Sequence, residues 1–259
     1  MSPADLEAFF NEGVFSFILT FVRIGSAFLL MPGPGDAFIP TRIRLLLALA
    51  ITFVLTPIIG PPIPDPAPQA LELLTYIFSE FVIGLFIGGV ARLFQTALSI
   101  GGSIISLEAG IRNAQLFNPA LGGQGSLFGA FFSITGVALF MASNLHHMMI
   151  LGIINSYTLF PFDALLPIGD IVDTFAKFFN EAFKIGFQIS APIVVVAFMI
   201  HMVAGILARV IPQIQAFILV LPLQILVAII TLSFIISTIF LFWLNQFEAG
   251  MTFLFTGGG

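Results

Sequence analysis

The sequence predicts an all-α integral membrane protein with about six hydrophobic segments, and three observations lead there. Charged residues make up only 8% of the 259 residues, against about 25% in an ordinary soluble domain. Mean hydropathy is +1.13, so two lysines, six arginines and thirteen acids would have to cover a surface that water could not otherwise wet. The apolar runs also lack the alternation that marks barrel strands. That leaves helices, which satisfy their own backbone groups, as the way across a bilayer.

The first run, Val14–Met31, follows Asp5, Glu7 and Glu12 with no Lys or Arg before it. This is the reverse of a basic signal-peptide n-region, and the segment is expected to stay in the mature protein. Leu45–Gly60 is the second run, and Leu73–Leu107, with Arg92 inside it, is the third. The fourth, Gly125–Phe160, would reach about 54 Å as a single helix, well beyond a hydrocarbon core of about 30 Å. Asn144, His146 and His147 interrupt it, leaving a span at Leu127–Ser143 and a shorter piece at Met148–Phe160. Ile185–Ala208 is the fifth run. In the sixth, Ile214–Leu244, Pro222 removes a backbone donor and is expected to kink the helix.

Four stretches are expected to be connections: Pro32–Arg44, the proline-rich Pro61–Gln69, Arg112–Gln124, and Pro161–Glu181 with Asp163, Asp170, Asp173, Lys177 and Glu181. By the positive-inside rule, Arg42, Arg44 and Arg209 belong in the cytoplasm, with the loops at Pro61 and Pro161 and both termini outside.

Composition excludes several functions. The net charge of −5 comes from scattered acids without a basic cluster, which is unsuited to nucleic acid. The absence of cysteine excludes disulfides and thiolate metal sites. His146 and His147 are adjacent, so they point to different sides of a helix, and no nearby carboxylate completes a metal site with them or with His201. Neither the hydrolase and zinc-protease signatures nor the nucleotide-binding loops occur, so no catalytic residue, metal or cofactor is expected.

The informative polar residues are the charges inside apolar runs: Arg23, Glu80, Arg92, Glu108 and Arg112. Each costs a few kcal/mol at mid-bilayer unless paired or facing a polar cavity. Arg23, Glu80 and Arg92 are expected to be structural ties that snorkel or pair across helices. Glu108 and Arg112 have the i, i+4 spacing of a helical ion pair. Gly84, Gly88 and the Gly101-Gly102 pair would let helices approach closely. Most of the 32 phenylalanines and eight methionines are expected to be packing and lipid-facing surface, a few of the methionines suiting a deformable constriction.

Taken in order, these motifs resemble the FliR family of flagellar export-gate subunits, which is similar to its injectisome counterpart. Arg23, Pro32, Pro40, Arg42 and Arg44 match its intramembrane arginine, proline-containing loop and return helix. GGSIISLEAGIRNAQLFNP (Gly101–Pro119) and LFMASNLHH (Leu139–His147) resemble its glycine-rich segment, Asp/Asn-Pro element and histidine-bearing helix end. The strongest match is SAPIVVVAFMIHMVAGILARVIPQIQAFILVLPL (Ser190–Leu223), with Ala191-Pro192, Ala208-Arg209, Pro212-Gln213, Phe217 and Pro222 in the family's order. Gln215 stands where asparagine is usual and Gln224 where lysine is usual, so no contact is carried over to those two positions.

The resemblance implies long kinked helical hairpins: a FliP-like portion over 1–184, a FliQ-like hairpin over 185–247 and a tail over 248–259. It implies a non-enzymatic subunit of the inner membrane and flagellar basal body, assembled with several copies of FliP and FliQ into a closed helical funnel. FlhB and FlhA would be further partners, and unfolded flagellar proteins the cargo. A lumen plug is implied at Leu107, Glu108, Gly110, Ile111, Arg112, Phe117, Asn118 and Pro119. A cytoplasmic hairpin tip touching partners is implied at Arg209, Pro212 and Gln213. The alternative is a secondary transporter with its own solute site built on discontinuous helices and Arg23, Glu80 and Arg92. An intramembrane enzyme ranks last, for want of a nucleophile and base.

Overall fold

The computed structural model describes residues 3–60, 69–111, 126–162, 166–210 and 216–256. Among them are seven helices and no strand: α1 (Pro3–Leu30), α2 (Thr41–Ile59), α3 (Ala70–Glu108), α4 (Leu127–Ala142), α5 (Leu145–Leu159), α6 (Ile168–Val210) and α7 (Ala216–Thr256). The all-α membrane fold expected from composition is the fold found. Among the described residues five helices are each long and apolar enough to cross a bilayer, and α4 and α5, bent by 72° at their break, make a sixth crossing if the pair is one span.

The break falls where the polar residues of the fourth run stand. Asn144 adopts φ 58°, ψ 17°, the left-handed conformation. Asparagine tolerates it because its short side chain can bond locally, whereas the surrounding apolar residues would resist it. Gly110 closes α3 in the same way, with φ 75°, the usual device for ending a helix. At the other end of α3, the Glu72 carboxylate accepts the Gln69 N–H at 3.0 Å, one half of a capping box.

Two expectations are corrected. Pro161–Glu181 is not all connection, because α6 begins at Ile168. Asp170, Asp173, Lys177, Glu181 and Lys184 recur every three or four residues, so they form one stripe of a helix, and Lys184 Nζ pairs with Glu181 at 3.1 Å. Likewise Arg42 and Arg44 stand in the first turn of α2, not in the connection before it. Helix α7 runs unbroken past Pro222 and Glu248 to Thr256.

The chain divides into two compact units. The first comprises Met1–Leu93, Phe140–Phe178 and Glu248–Gly259; the second comprises Phe94–Leu139 and Phe179–Phe247. In the first, Leu19, Ile24 and Phe28 of α1 are buried with Ile83, Ile87 and Val90 of α3. Gly84 and Gly88 make that approach possible, since a Cβ at Gly84 would overlap Ser26 and the Arg23 carbonyl, and one at Gly88 the Ala27 carbonyl. Gly152 of α5 similarly leaves room for the Phe255 ring, and Met251 of α7 is fully buried.

The second unit is built on the other glycine pair, whose two members face different helices. A Cβ on Gly101 would lie 2.9 Å from the Gly186 carbonyl oxygen of α6, and one on Gly102 2.5 Å from the Phe128 carbonyl oxygen of α4. Trp243 of α7 is fully buried and donates its indole N–H to the Phe94 carbonyl at 2.8 Å. Phe94 and Phe247 meet edge to face, as do Phe132 and Phe240.

Candidate functional site

The second unit holds both described ends of the segment that separates α3 from α4. Its near end leaves α3 through Leu107, Glu108, Ala109 and Gly110. There the Ala109 N–H bonds to the Ile105 carbonyl at 2.8 Å and the Gly110 N–H to the Leu107 carbonyl at 3.1 Å. Gln224 of α7, 5% exposed, donates its side-chain amide to the Glu108 carbonyl. Helix ends leave their last carbonyls without an intrahelical donor; Gln224 supplies one from another helix.

The far end is fixed by serines. Ser126 caps α4, accepting the Gly129 N–H at 3.0 Å, and its hydroxyl donates to Ser106 Oγ at 2.7 Å. Ser106, in the last turn of α3, also accepts the Phe128 N–H at 3.1 Å. Residues twenty positions apart in the chain are therefore bonded directly to each other. The two described ends of the intervening stretch thus stand side by side.

Of the residues proposed for the plug, Leu107, Glu108, Gly110 and Ile111 lie at this near end, with Leu107 exposed and Gly110 buried. Arg112, Phe117, Asn118 and Pro119 lie outside the described residues, as does the Arg112 end of the expected Glu108 pair. Arg209 is exposed one residue from the end of α6, while Pro212 and Gln213 lie outside the described residues.

The first unit contains the intramembrane charges. Arg23 of α1 and Glu80 of α3 are both fully buried and form a two-pronged ion pair, Nε to Oε2 at 2.5 Å and Nη2 to Oε1 at 2.7 Å. Nη1 donates to Ser156 Oγ at 3.1 Å, and Nη2 donates also to the Phe160 carbonyl at 2.9 Å, at the end of α5. The guanidinium carbon sits 3.8 Å from the centre of the Tyr157 ring. Arg92 instead reaches the turn between α1 and α2, where Nη1 meets Asp36 Oδ1 at 2.5 Å. Asp36 Oδ2 accepts the Gly33 N–H at 2.8 Å, and Arg44 donates to the Pro34 carbonyl at 2.6 Å and the Asp36 carbonyl at 3.1 Å.

Sequence reasoning passed over Ser106, Ser126, Asp36, Ser156 and Tyr157. Two of them had a signal: Asp36 stands in a turn shortly before Arg42 and Arg44, and Ser126 immediately precedes an apolar run, the position of an N-cap. In the sequence Gln224 stands out only as a departure from the family pattern. Among the described residues, no group of three or more His, Asp or Glu side chains could hold a metal ion.

Comparison with known proteins adds the family. The family described as bacterial export proteins, family 1, matches residues 14–250. The chain is similar to flagellar biosynthetic protein FliR of Caulobacter vibrioides, with 35% identity over 89% of this chain and 92% of that protein. It is 32% identical to the Bacillus subtilis protein of the same name, over 90% of each chain. It is also similar to Yop proteins translocation protein T of Yersinia pestis, 27% identical over 60% of each.

Proposed function

The chain belongs to the bacterial export proteins, family 1, and from that premise we propose that it is a subunit of the flagellar type III export gate of the bacterial inner membrane. It assembles with several FliP-type and FliQ-type partners into the closed helical channel through which unfolded flagellar proteins leave the cytoplasm. Residues 1–184 act as the FliP-like portion, 185–247 as the FliQ-like hairpin and 248–259 as the tail. The flagellar assignment is supported by coverage, since the flagellar relatives align over about nine-tenths of both chains and the Yersinia protein over 60%.

One observation carries the assembly. Helices α6 and α7, of 43 and 41 residues, extend about 64 and 62 Å at 1.5 Å per residue, twice the hydrocarbon thickness of about 30 Å. Yet much of their apolar surface is uncovered: Phe179, Phe183, Phe187, Phe198 and Met202 are exposed along α6, beside its charged stripe, and Leu226, Ile230 and Phe234 along α7. Lipid is too thin to cover such a surface, whereas neighbouring subunits can do so.

Within the channel, Leu107–Pro119 is the lumen plug. Irregular backbone at membrane depth is tolerated only when buried in protein or lining a cavity. Arg209 with Pro212 and Gln213 is the cytoplasmic hairpin tip on this reading, where FliQ-type neighbours and FlhB make contact, and FlhA is a further partner. The sequence carries no nucleotide-binding loop, and on this reading the driving force comes from other components of the apparatus. A solute carrier is disfavoured because Arg23 and Glu80 are fully buried and bonded to each other, and Arg92 is paired with Asp36.

The test is co-expression with candidate FliP and FliQ proteins, followed by purification and imaging. A stable complex containing all three is expected, with the polypeptide poorly behaved by itself. A well-ordered monomer that takes up a small solute when reconstituted alone would overturn the proposal.

A further inference from the structure

The first unit carries a groove that the export reading does not use. It runs between α1 and α2, is closed on one side by Phe81 of α3, and has a volume of about 470 Å³. Its walls are almost wholly carbon, from Phe21, Leu29, Leu45 and Ala48 among others. Ser26, on its floor, has its hydroxyl turned back to the Val22 carbonyl at 2.7 Å.

Charge is confined to one end. The antiparallel helices join at the turn 31–40, and at that end stand Arg42 and Arg44. Arg44 is committed to the Pro34 and Asp36 carbonyls. Arg42 is exposed and makes no hydrogen bond or ion pair among the described residues. From that end the groove descends about 10–12 Å along both helices, to Phe21 and Ala48.

Helix α2 also differs from the overlong helices. Its 19 residues span about 28 Å, the thickness of one hydrocarbon layer. Only 11% of this span is buried, with Leu46, Phe53, Val54 and Ile58 exposed. This helix is matched to lipid in length as well as in composition. The positive-inside rule puts its arginine end at the cytoplasmic leaflet, where anionic lipid is concentrated.

We propose that this groove binds one anionic phospholipid of the surrounding bilayer, with the headgroup phosphate at Arg42 and an acyl chain lying between α1 and α2 against Phe21 and Phe81. The polarity gradient along the groove is that of a lipid entering from the headgroup level. A free phosphate would leave the carbon walls uncovered, and a neighbouring apolar helix would leave Arg42 without a counter-charge.

The complete chain in nanodiscs of equimolar phosphatidylglycerol and phosphatidylcholine, released into native mass spectrometry, tests this. The unaltered protein should retain phosphatidylglycerol in preference to phosphatidylcholine. Arg42→Gln should weaken that preference about fivefold, the effect of one basic residue near an anionic surface. Gly25→Leu should reduce retention of both lipids by filling the groove, where an added Cβ meets nothing nearer than the Phe21 ring at 3.8 Å, and an unfolding temperature equal to the parent's should show that the fold is kept. Lys184→Gln, an exposed cation elsewhere, should change neither. Equal retention of the two lipids by the unaltered protein, identical preference in Arg42→Gln and Lys184→Gln, or undiminished binding in Gly25→Leu would each overturn the inference.

Discussion

Arg23 uses four of its five N–H donors, on Glu80, Ser156 and the Phe160 carbonyl, and sets its guanidinium carbon over the Tyr157 ring. A charge so thoroughly bonded in an apolar interior joins three helices, α1, α3 and α5, at one atom group. Breaking a buried pair on one side strands the other charge, at a cost of about 3–5 kcal/mol, whereas replacing both partners by apolar residues is often neutral. Arg23→Met should therefore sharply lower the thermal unfolding temperature of the detergent-solubilised protein, and Arg23→Met with Glu80→Leu should recover most of the loss. A single variant as stable as the parent would show that the pair is not a structural tie. The two charges were conspicuous in the sequence, but their pairing was not. They are 57 residues apart, and which acid meets which base depends on the helix approach that Gly84 and Gly88 allow.

At the scale of elements, what was legible and what was hidden have physical causes. The break between α4 and α5 could be read because a polar trio interrupts an apolar run too long for one crossing. The start of α6 could not, because five charges within fifteen residues look like a loop until their spacing is recognised as a helical stripe. For the candidate plug, the interruption was visible as glycines and Asn118-Pro119, but its anchors were not, since Ser106, Ser126 and Gln224 are ordinary residues whose meaning lies in their partners. If the excursion is a plug, replacing Leu107–Pro119 with a short Gly-Ser linker should raise ion or small-solute leak through the assembled gate. Gln224→Ala removes one hydrogen bond worth about 0.5–1.5 kcal/mol and should raise it less. Leak equal to the parent's in the linker variant would remove the plug assignment.

For the whole molecule, exposure is the informative property. The chain leaves Phe179, Phe183, Phe187, Val203, Ile206 and Val210 uncovered on one long helix, and Leu226, Ile230 and Phe234 on the next. That surface predicts neighbours, and Arg209, at the end of α6, predicts where some of them stand. A photo-crosslinker at position 209 in the assembled complex should capture a FliQ-type or FlhB-type subunit, read by mass spectrometry of the adduct; capture of neither would count against the hairpin-tip assignment. The Ser106–Ser126 closure has a last consequence, for how such proteins diverge. Because the stretch between these serines leaves and rejoins the helical scaffold at one place, its length is nearly decoupled from the rest of the fold: doubling a flexible loop adds only about 0.6 kcal/mol of closure entropy. Relatives can thus differ in the length of this stretch while the scaffold around it stays as it is.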